Sequence, residues 1–291
     1  MKHSGISPRP AGGRIERGVK VARVAVRARR LRLAGRAAAA AFDALVPAAC
    51  VGCRRGVAPD GPPLCALCRS RLPRLANPRC PRCAQPLGNI AAAAGELVRC
   101  GTCEEWPDVL VAAAAPFCFE GLAARTVRAL KYGRWRSLAP WMAARMAPGA
   151  EAVASRIGGG APWLVPVPLT PARRRERGFN QAGELARALA DLGVGPLGLF
   201  LDRRPGGGRQ AGVRGALRRA NVQGRFLVRA GLPDGCRSAI IVDDVLTTGA
   251  TAIACAETLA EAGFRSVATV SFARTLRPLD GDESPTGALR P

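Results

Sequence analysis

Asp243 and Asp244 stand side by side after the apolar run Ala239–Val242. The residues that follow them, Val245-Leu246-Thr247-Thr248-Gly249-Ala250-Thr251, are rich in hydroxyls and carry a glycine. The apolar run reads as a buried strand of a parallel sheet. Two carboxylates at its carboxyl end lie where open α/β sheets bind ligands. The alanines and leucine of residues 250–262 suit a helix, so the turn feeds a helix start. Backbone N–H groups there, with the hydroxyls of Thr247, Thr248 and Thr251, make a cradle for a phosphate dianion. Asp243 and Asp244 cannot share that phosphate, because like charges repel. They suit neighbouring hydroxyls, such as the 2′ and 3′ groups of a ribose. The two halves together describe a clamp for ribose 5-phosphate. An ordinary strand–turn–helix with a Thr cap is the plain alternative, and a buried pair of acids serves it poorly.

This segment resembles the phosphoribosyl pyrophosphate (PRPP) loop of type I phosphoribosyltransferases. The other common phosphate motifs are missing, with no G-x-x-x-x-G-K-[ST] and no G-x-G-x-x-G after a strand.

The second chemical signal is four C-x-x-C pairs, Cys50/Cys53, Cys65/Cys68, Cys80/Cys83 and Cys100/Cys103. Two-residue spacing lets both thiolates of a pair reach one tetrahedral zinc. The runs C-x2-C-x11-C-x2-C and C-x2-C-x16-C-x2-C fit two ribbons, holding one or two structural Zn2+. Sequential pairing and crossed pairing both stand open. A disulfide framework is the alternative and needs an oxidising compartment. Nothing upstream supports secretion: the alanine run 37–41 is short and Asp43 follows it, and Pro47-Ala48-Ala49-Cys50 lacks the Leu of a lipoprotein signal. Cys118, Cys236 and Cys255 read as small buried apolar residues.

The formal charge is +23 over 291 residues. Residues 1–36 hold eleven Lys/Arg against one Glu and no aromatic residue, so this arm builds no core. A nucleic-acid-binding tail is one reading. The other is the arginine bias of a GC-rich genome, with an upstream start codon. The single histidine, His3, lies in this arm. No His-containing zinc site, Ser-His-Asp triad or Cys-His dyad is therefore available to the folded part. Catalysis there must use carboxylates, Lys, Arg, Tyr, bound metal and positioning. No hydrophobic stretch approaches the ~20 residues of a membrane span, so a soluble, cytoplasmic protein is expected.

Several elements must position these groups. A short helix is expected over 37–46, ribbons over 50–103 with a low-complexity turn at 91–95, and a boundary at Trp106-Pro107. Strands are expected at 109–119, 163–168, 197–201, 226–229, 239–242 and 267–272. Helices are expected at 121–131, 138–146, 181–192 and 250–262. Prolines end the strand at 163–168, so a functional loop should follow. Alternating strands and helices imply a parallel α/β sheet of five or so strands.

The pieces, in this order, resemble the competence protein F (ComF) family, which joins a double zinc ribbon to a type I phosphoribosyltransferase domain. The likeness runs from about Phe42 to Ala273. It rests on Pro47 before the first knuckle, Ala129-Leu130-Lys131-Tyr132, Val165-Pro166-Val167-Pro168, Arg177-Gly178-Phe179-Asn180-Gln181, Gln210, Arg219-Ala220-Asn221, Phe226 and the clamp. The resemblance implies a type I phosphoribosyltransferase-like parallel sheet flanked by helices, preceded by a small double zinc ribbon domain. The organisation expected is a basic, disordered arm (1–36), a short helix with the ribbons (37–104), the phosphoribosyltransferase-like domain (105–275) and a disordered tail (276–291). By resemblance the loop 165–170 receives pyrophosphate, and 202–225 is a mobile lid. Pro205-Gly206-Gly207-Gly208 departs from the family there, where a Thr and fewer glycines are expected.

PRPP-binding candidates are thus Asp243, Asp244, Thr247, Thr248, Gly249, Ala250 and Thr251, with Val167 and Pro168. Catalytic candidates are Asp243, Asp244, Lys131, Arg177 and Arg219, with Arg209 as a further cation. Arg173, Arg174 and Arg175 read as solvated surface charge. Tyr132 and Phe179 suit base stacking or core packing alike. Mg2+ accompanying PRPP would neutralise the leaving pyrophosphate. Lid closure would exclude water from an oxocarbenium-like state.

The function expected is a PRPP-binding phosphoribosyltransferase, a pentosyl glycosyltransferase, with an implied role in DNA uptake and natural transformation. The alternative is a non-catalytic PRPP-sensing or single-stranded DNA-binding module, partnered by DNA or by competence and recombination proteins. Few aromatic residues argue against an extended base-stacking platform. If the arm binds DNA, deleting residues 1–36 should flatten the salt dependence of binding.

Overall fold

The computed structural model describes residues 49–58, 60–87, 100–133, 135–158, 160–204, 226–229, 232–233, 235 and 237–276. The arm, the expected helix at 37–46, the turn at 91–95, Arg209, Gln210, Arg219, Asn221, Cys236 and residues 277–291 lie outside them. The chain divides into two compact units. In the smaller, residues 1–49 with 56–61, Ala49 bridges antiparallel to Gly56. The larger, residues 50–55 with 62–291, contains the cysteine-rich region and the sheet.

The strands are β1 (Leu110–Ala114), β2 (Phe117–Cys118), β3 (Trp163–Pro166), β4 (Leu201–Arg203), β5 (Phe226–Val228), β6 (Ser238–Leu246) and β7 (Ser266–Arg274). The helices are α1 (Ala66–Ser70), α2 (Gly121–Tyr132), α3 (Leu138–Ile157), α4 (Pro171–Arg177), α5 (Gln181–Asp191) and α6 (Ala250–Glu261). One five-stranded, all-parallel sheet runs β1-β7-β6-β3, with β2 pairing the far end of β7. β4 and β5 form a separate antiparallel pair. Helices α3 and α5 pack on the sheet. Helix α6 joins it through another core, in which Ala252, Ala256 and Leu259 meet Val165, Ala239 and Ile241. Among the described residues no helix is long and apolar enough to cross a membrane.

Several elements differ from expectation. The strand expected at 109–119 is broken in two by Ala115-Pro116, because proline cannot donate to the ladder. The first of these strands also skips a register step between Leu110 and Ala112. Helix α3 runs past Pro148 to Ile157. The carbonyl that Pro148 leaves unbonded belongs to exposed Ala144, while Met146, Ala150 and Val153 keep the buried stripe going. The strand expected at 197–201 begins at Leu201, and Leu197 makes only an isolated bridge to Leu164. Strand β6 extends through both aspartates to Leu246, which pairs with Arg274. Aspartate is disfavoured in strands, so the sequence alone suggested an earlier end.

Candidate functional site

Alternation along β6 sends its two carboxylates to opposite faces. Asp243 lines a small, partly open cavity of about 20 Å³ with Val167, Thr247, Gly249, Thr251 and Ser271. Asp244 is buried, and its Oδ1 lies 2.8 Å from Lys131 Nζ at the end of α2. The other oxygen of Asp244, Oδ2, has no hydrogen-bond partner among the described residues. Asp243 thus faces the cavity, and Asp244 holds the lysine.

Asp243 Oδ1 accepts from the Asp244 N–H at 2.8 Å. Burial, and then the charge of Asp244, push the Asp243 carboxyl from 3.8 up to about 7, against the pull of that N–H, Lys131 and Arg203. An acid raised in this way binds more protons folded than unfolded. Its contribution to stability is complete below about pH 4 and is lost as pH rises through about 7. Asp243→Asn should therefore gain on the wild type by about 1–2 kcal/mol between about pH 5 and about pH 8, part of the shift being discounted because Asp243 keeps some exposure. Urea unfolding across that range measures the difference, and parallel stability curves would refute it.

The turn after β6 is shaped by Gly249, whose φ of +86° caps α6 in the left-handed region. The Ala250 N–H donates to Thr248 Oγ1 at 3.3 Å, and Ile253 N–H donates to the Gly249 carbonyl at 2.8 Å. The other N–H groups of the first turn lack helical acceptors. Thr247 is exposed. The cavity also holds Ser271, which the sequence reading did not single out. It is Asp243's register partner on β7, fully buried, with Oγ unpartnered among the described residues. Its signal was a hydroxyl inside the apolar strand Val267–Phe272.

The loop after β3 approaches from one side. Val167 N–H donates to the Val242 carbonyl at 3.0 Å, and Asn180 Nδ2 donates to the Val167 carbonyl at 3.0 Å. Asn180 also caps α5 by accepting from Ala182 N–H. Helix α4 was not anticipated, although Thr170-Pro171 and Gly178 mark its ends, with Thr170 capping Arg173 N–H. Arg173, Arg174 and Arg175 are exposed on it. Its last residue, Arg177, stacks 5.1 Å from the Tyr132 ring and donates to the Tyr132 hydroxyl at 3.4 Å. Tyr132 is exposed, whereas Phe179 is buried under the guanidinium of Arg136. Of the two stacking candidates, only Tyr132 has an exposed ring, with Arg177 over one face. Cys118 and Cys255 are buried, as read from the sequence.

The cysteines form two tetrads in chain order, Cys50/Cys53/Cys65/Cys68 and Cys80/Cys83/Cys100/Cys103, with all sulfurs of each within 4.8 Å. Near contacts of 3.8 Å for Cys53–Cys65, 3.6 Å for Cys80–Cys103 and 3.3 Å for Cys83–Cys100 are far too long for disulfides. They approach the ~3.8 Å edge of a tetrahedron with ~2.3 Å zinc–sulfur bonds. The first pair of each tetrad sits on the same knuckle. Arg54 N–H donates to Cys50 O and Ala84 N–H to Cys80 O, and both residues have positive φ. Crowded thiols compete for charge. Donation from Cys103 and Cys83 holds Cys80 low, and the same network raises Cys83. Burial opposes ionisation of Cys50, yet backbone donors bring it to about 6, while burial pushes Cys68 up to about 12. A dication lets all four thiols of a tetrad ionise, and these are structural zinc sites.

Residues 41–104 match the double zinc ribbon domain. The chain is 29% identical over 235 residues to the DNA utilization protein YhgH of Salmonella typhi, an alignment covering 79% of this chain and 99% of that protein. It is 30% identical over 240 residues to the YhgH protein of Escherichia coli O157:H7, and 29% over 248 residues to that of Escherichia coli K12, with the same coverage.

Proposed function

The chain belongs to the competence protein F (ComF) family, and on that premise we propose that it binds PRPP and transfers or senses the phosphoribosyl group in a pathway of DNA uptake. The observation that carries this reading is the cavity at the carboxyl ends of parallel strands. There a carboxylate near neutrality, an unpartnered buried serine hydroxyl and a helix-start turn face one space. Ribose hydroxyls suit Asp243 and Ser271. The 5′-phosphate suits Thr247, Thr251 and the N–H groups after Gly249. The loop at Val167-Pro168, pinned by Asn180, suits the pyrophosphate. Lys131 orients Asp244, and Tyr132, next in the chain to Lys131, offers an exposed ring on which half-buried Arg177 stacks.

Asp243 also suits Mg2+, which would supply charge neutralisation for the pyrophosphate. In transfer, a nucleophilic atom of the acceptor bonds to ribose C1 as the C1–O bond to pyrophosphate breaks, and pyrophosphate leaves with the electron pair. Two thiolate-rich zinc sites fit a reducing, cytoplasmic setting.

Calorimetry with Mg-PRPP tests binding, and pyrophosphate release with a panel of bases tests transfer. One saturable site is expected, weakened roughly two- to tenfold by Ser271→Ala through loss of one hydrogen bond. No heat of binding to the folded protein would refute the reading. Binding without pyrophosphate release would select the sensing form.

A specific observation favours DNA as a second partner, in keeping with the relatives' name. Arg69, Arg74 and Arg145 line an open cleft beside Phe117, and among the described residues none of the three has a carboxylate partner. Arg145 stacks 3.8 Å from Trp141, and burial and the charge of Arg69 lower its pKa. Like charges held together in this way await an anion such as a phosphodiester. Arg69→Gln/Arg145→Gln should reduce the log–log salt slope for single-stranded DNA by about 1.4, at roughly 0.7 per lost contact. An unchanged slope would remove the cleft from the DNA path.

A further inference from the structure

The side chain of Trp106, just after the second cysteine tetrad, rests on the turn after β6. A Cβ on Gly249 would lie 2.8 Å from Trp106 Cζ2 and 3.0 Å from Cε2, so the indole rests directly against the bare Cα of the turn. Both the left-handed φ and this contact demand glycine there. Trp106 is buried, and its Nε1–H has no acceptor among the described residues. An unsatisfied indole donor is costly, which points to the ring's shape as the property retained.

The backbone of Trp106 is tied to the knuckle of the second tetrad. Trp106 N–H donates to the Cys103 carbonyl at 3.1 Å. Arg82, inside the Cys80–Cys83 knuckle, donates to the carbonyls of Trp106 at 2.7 Å, Pro107 at 3.0 Å and Cys103 at 3.2 Å. A second strut runs from Gln85 Oε1, which accepts from Arg274 Nε at 3.2 Å, and Arg274 is the register partner of Leu246 just before the turn. Cys80, Cys83, Cys103 and Trp106 share one continuous core with Leu246 and Ala252. The sulfurs of the first tetrad are absent from that core, and Gly52 of its knuckle rests instead on Leu122 and Arg125 of α2.

We propose that Trp106 is a positioning residue through which zinc at Cys80/Cys83/Cys100/Cys103, and not at the first tetrad, holds the Thr247–Thr251 turn in its anion-binding form. The ligand so served is a phosphorylated ribose, and this part rests on the function proposed above. Loss of the second zinc frees the knuckle, releases Arg82 and Cys103 from Trp106, and lets the turn open. Zinc status thereby sets phosphosugar affinity without any zinc ligand touching the sugar.

The test uses the full zinc-loaded chain and two readouts: hydrogen exchange of the segment 246–255, which needs no ligand, and calorimetry with Mg-PRPP. Trp106→Ala should keep both zinc ions, speed exchange in that segment and weaken Mg-PRPP by about tenfold, the low end of what lost outer supports cost. Trp106→Phe, which keeps a ring against Gly249, should restore most of both. Cys100→Ser should speed exchange in the turn, and Cys53→Ser should leave it as in the wild type. Unchanged exchange in Trp106→Ala, or equal loosening by Cys53→Ser, overturns the coupling. If the wild type binds no Mg-PRPP, the proposed function fails, and the exchange data still decide whether Trp106 holds the turn.

Discussion

Lys131→Met should destabilise the protein by about 3 kcal/mol at neutral pH, because it leaves the Asp244 carboxylate buried without its cation. The pair is close, at 2.8 Å, with side-chain exposures of 21% for Lys131 and 3% for Asp244. Asp244 Oδ2 has no other partner among the described residues to share the charge. Replacing both partners with apolar residues should recover much of the loss, since such exchanges are often neutral. Urea unfolding of Lys131→Met, Asp244→Leu and the double variant closes the cycle. Additive single effects would show that the pair is not coupled. Asp244→Asn strikes the same internal ion pair, so weaker PRPP binding in that variant would report lost support for Lys131.

The two zinc sites should differ sharply in what their loss does. Both should fill, giving two zinc ions per chain by metal analysis of protein purified under reducing conditions. Cys83→Ser removes a fully buried ligand from a tetrad embedded in the main core, so it should cost the second zinc and lower the unfolding temperature of the whole larger unit. Structural zinc contributes about 10–16 kcal/mol to binding-coupled folding in small domains, so no compensating contact is expected to make up the loss. Cys53→Ser alters an exposed ligand. It should cost the first zinc and change the unfolding temperature little. A chelator should then strip the two ions in separate phases, the first tetrad leading. Equal effects of the two substitutions on unfolding temperature would refute this ranking.

Features that depend on local spacing were legible in the residues themselves. Two-residue cysteine spacing, with no histidine outside the basic arm to substitute, dictated thiolate zinc sites. The apolar run before Asp243 and the Thr-Thr-Gly turn dictated a strand feeding a helix, because only a left-handed residue and a helix start accommodate that order. Alternating strand and helix patterns likewise dictated a parallel sheet. What required tertiary structure was every pairing between distant segments. Sequential use of the cysteine pairs follows from the twofold repeat of the knuckle in space.

The division of labour between Asp243 and Asp244 could not be read from adjacency, since a strand sends neighbours to opposite faces and only packing says what waits there. For Asp244 it is Lys131, 113 positions earlier; for Asp243 it is Ser271 on the next strand. Trp106 looked like a boundary marker because nothing local reveals a ring's partner. Burial against Gly249 gave it a role, since close packing makes shape complementarity between remote residues the deciding contact.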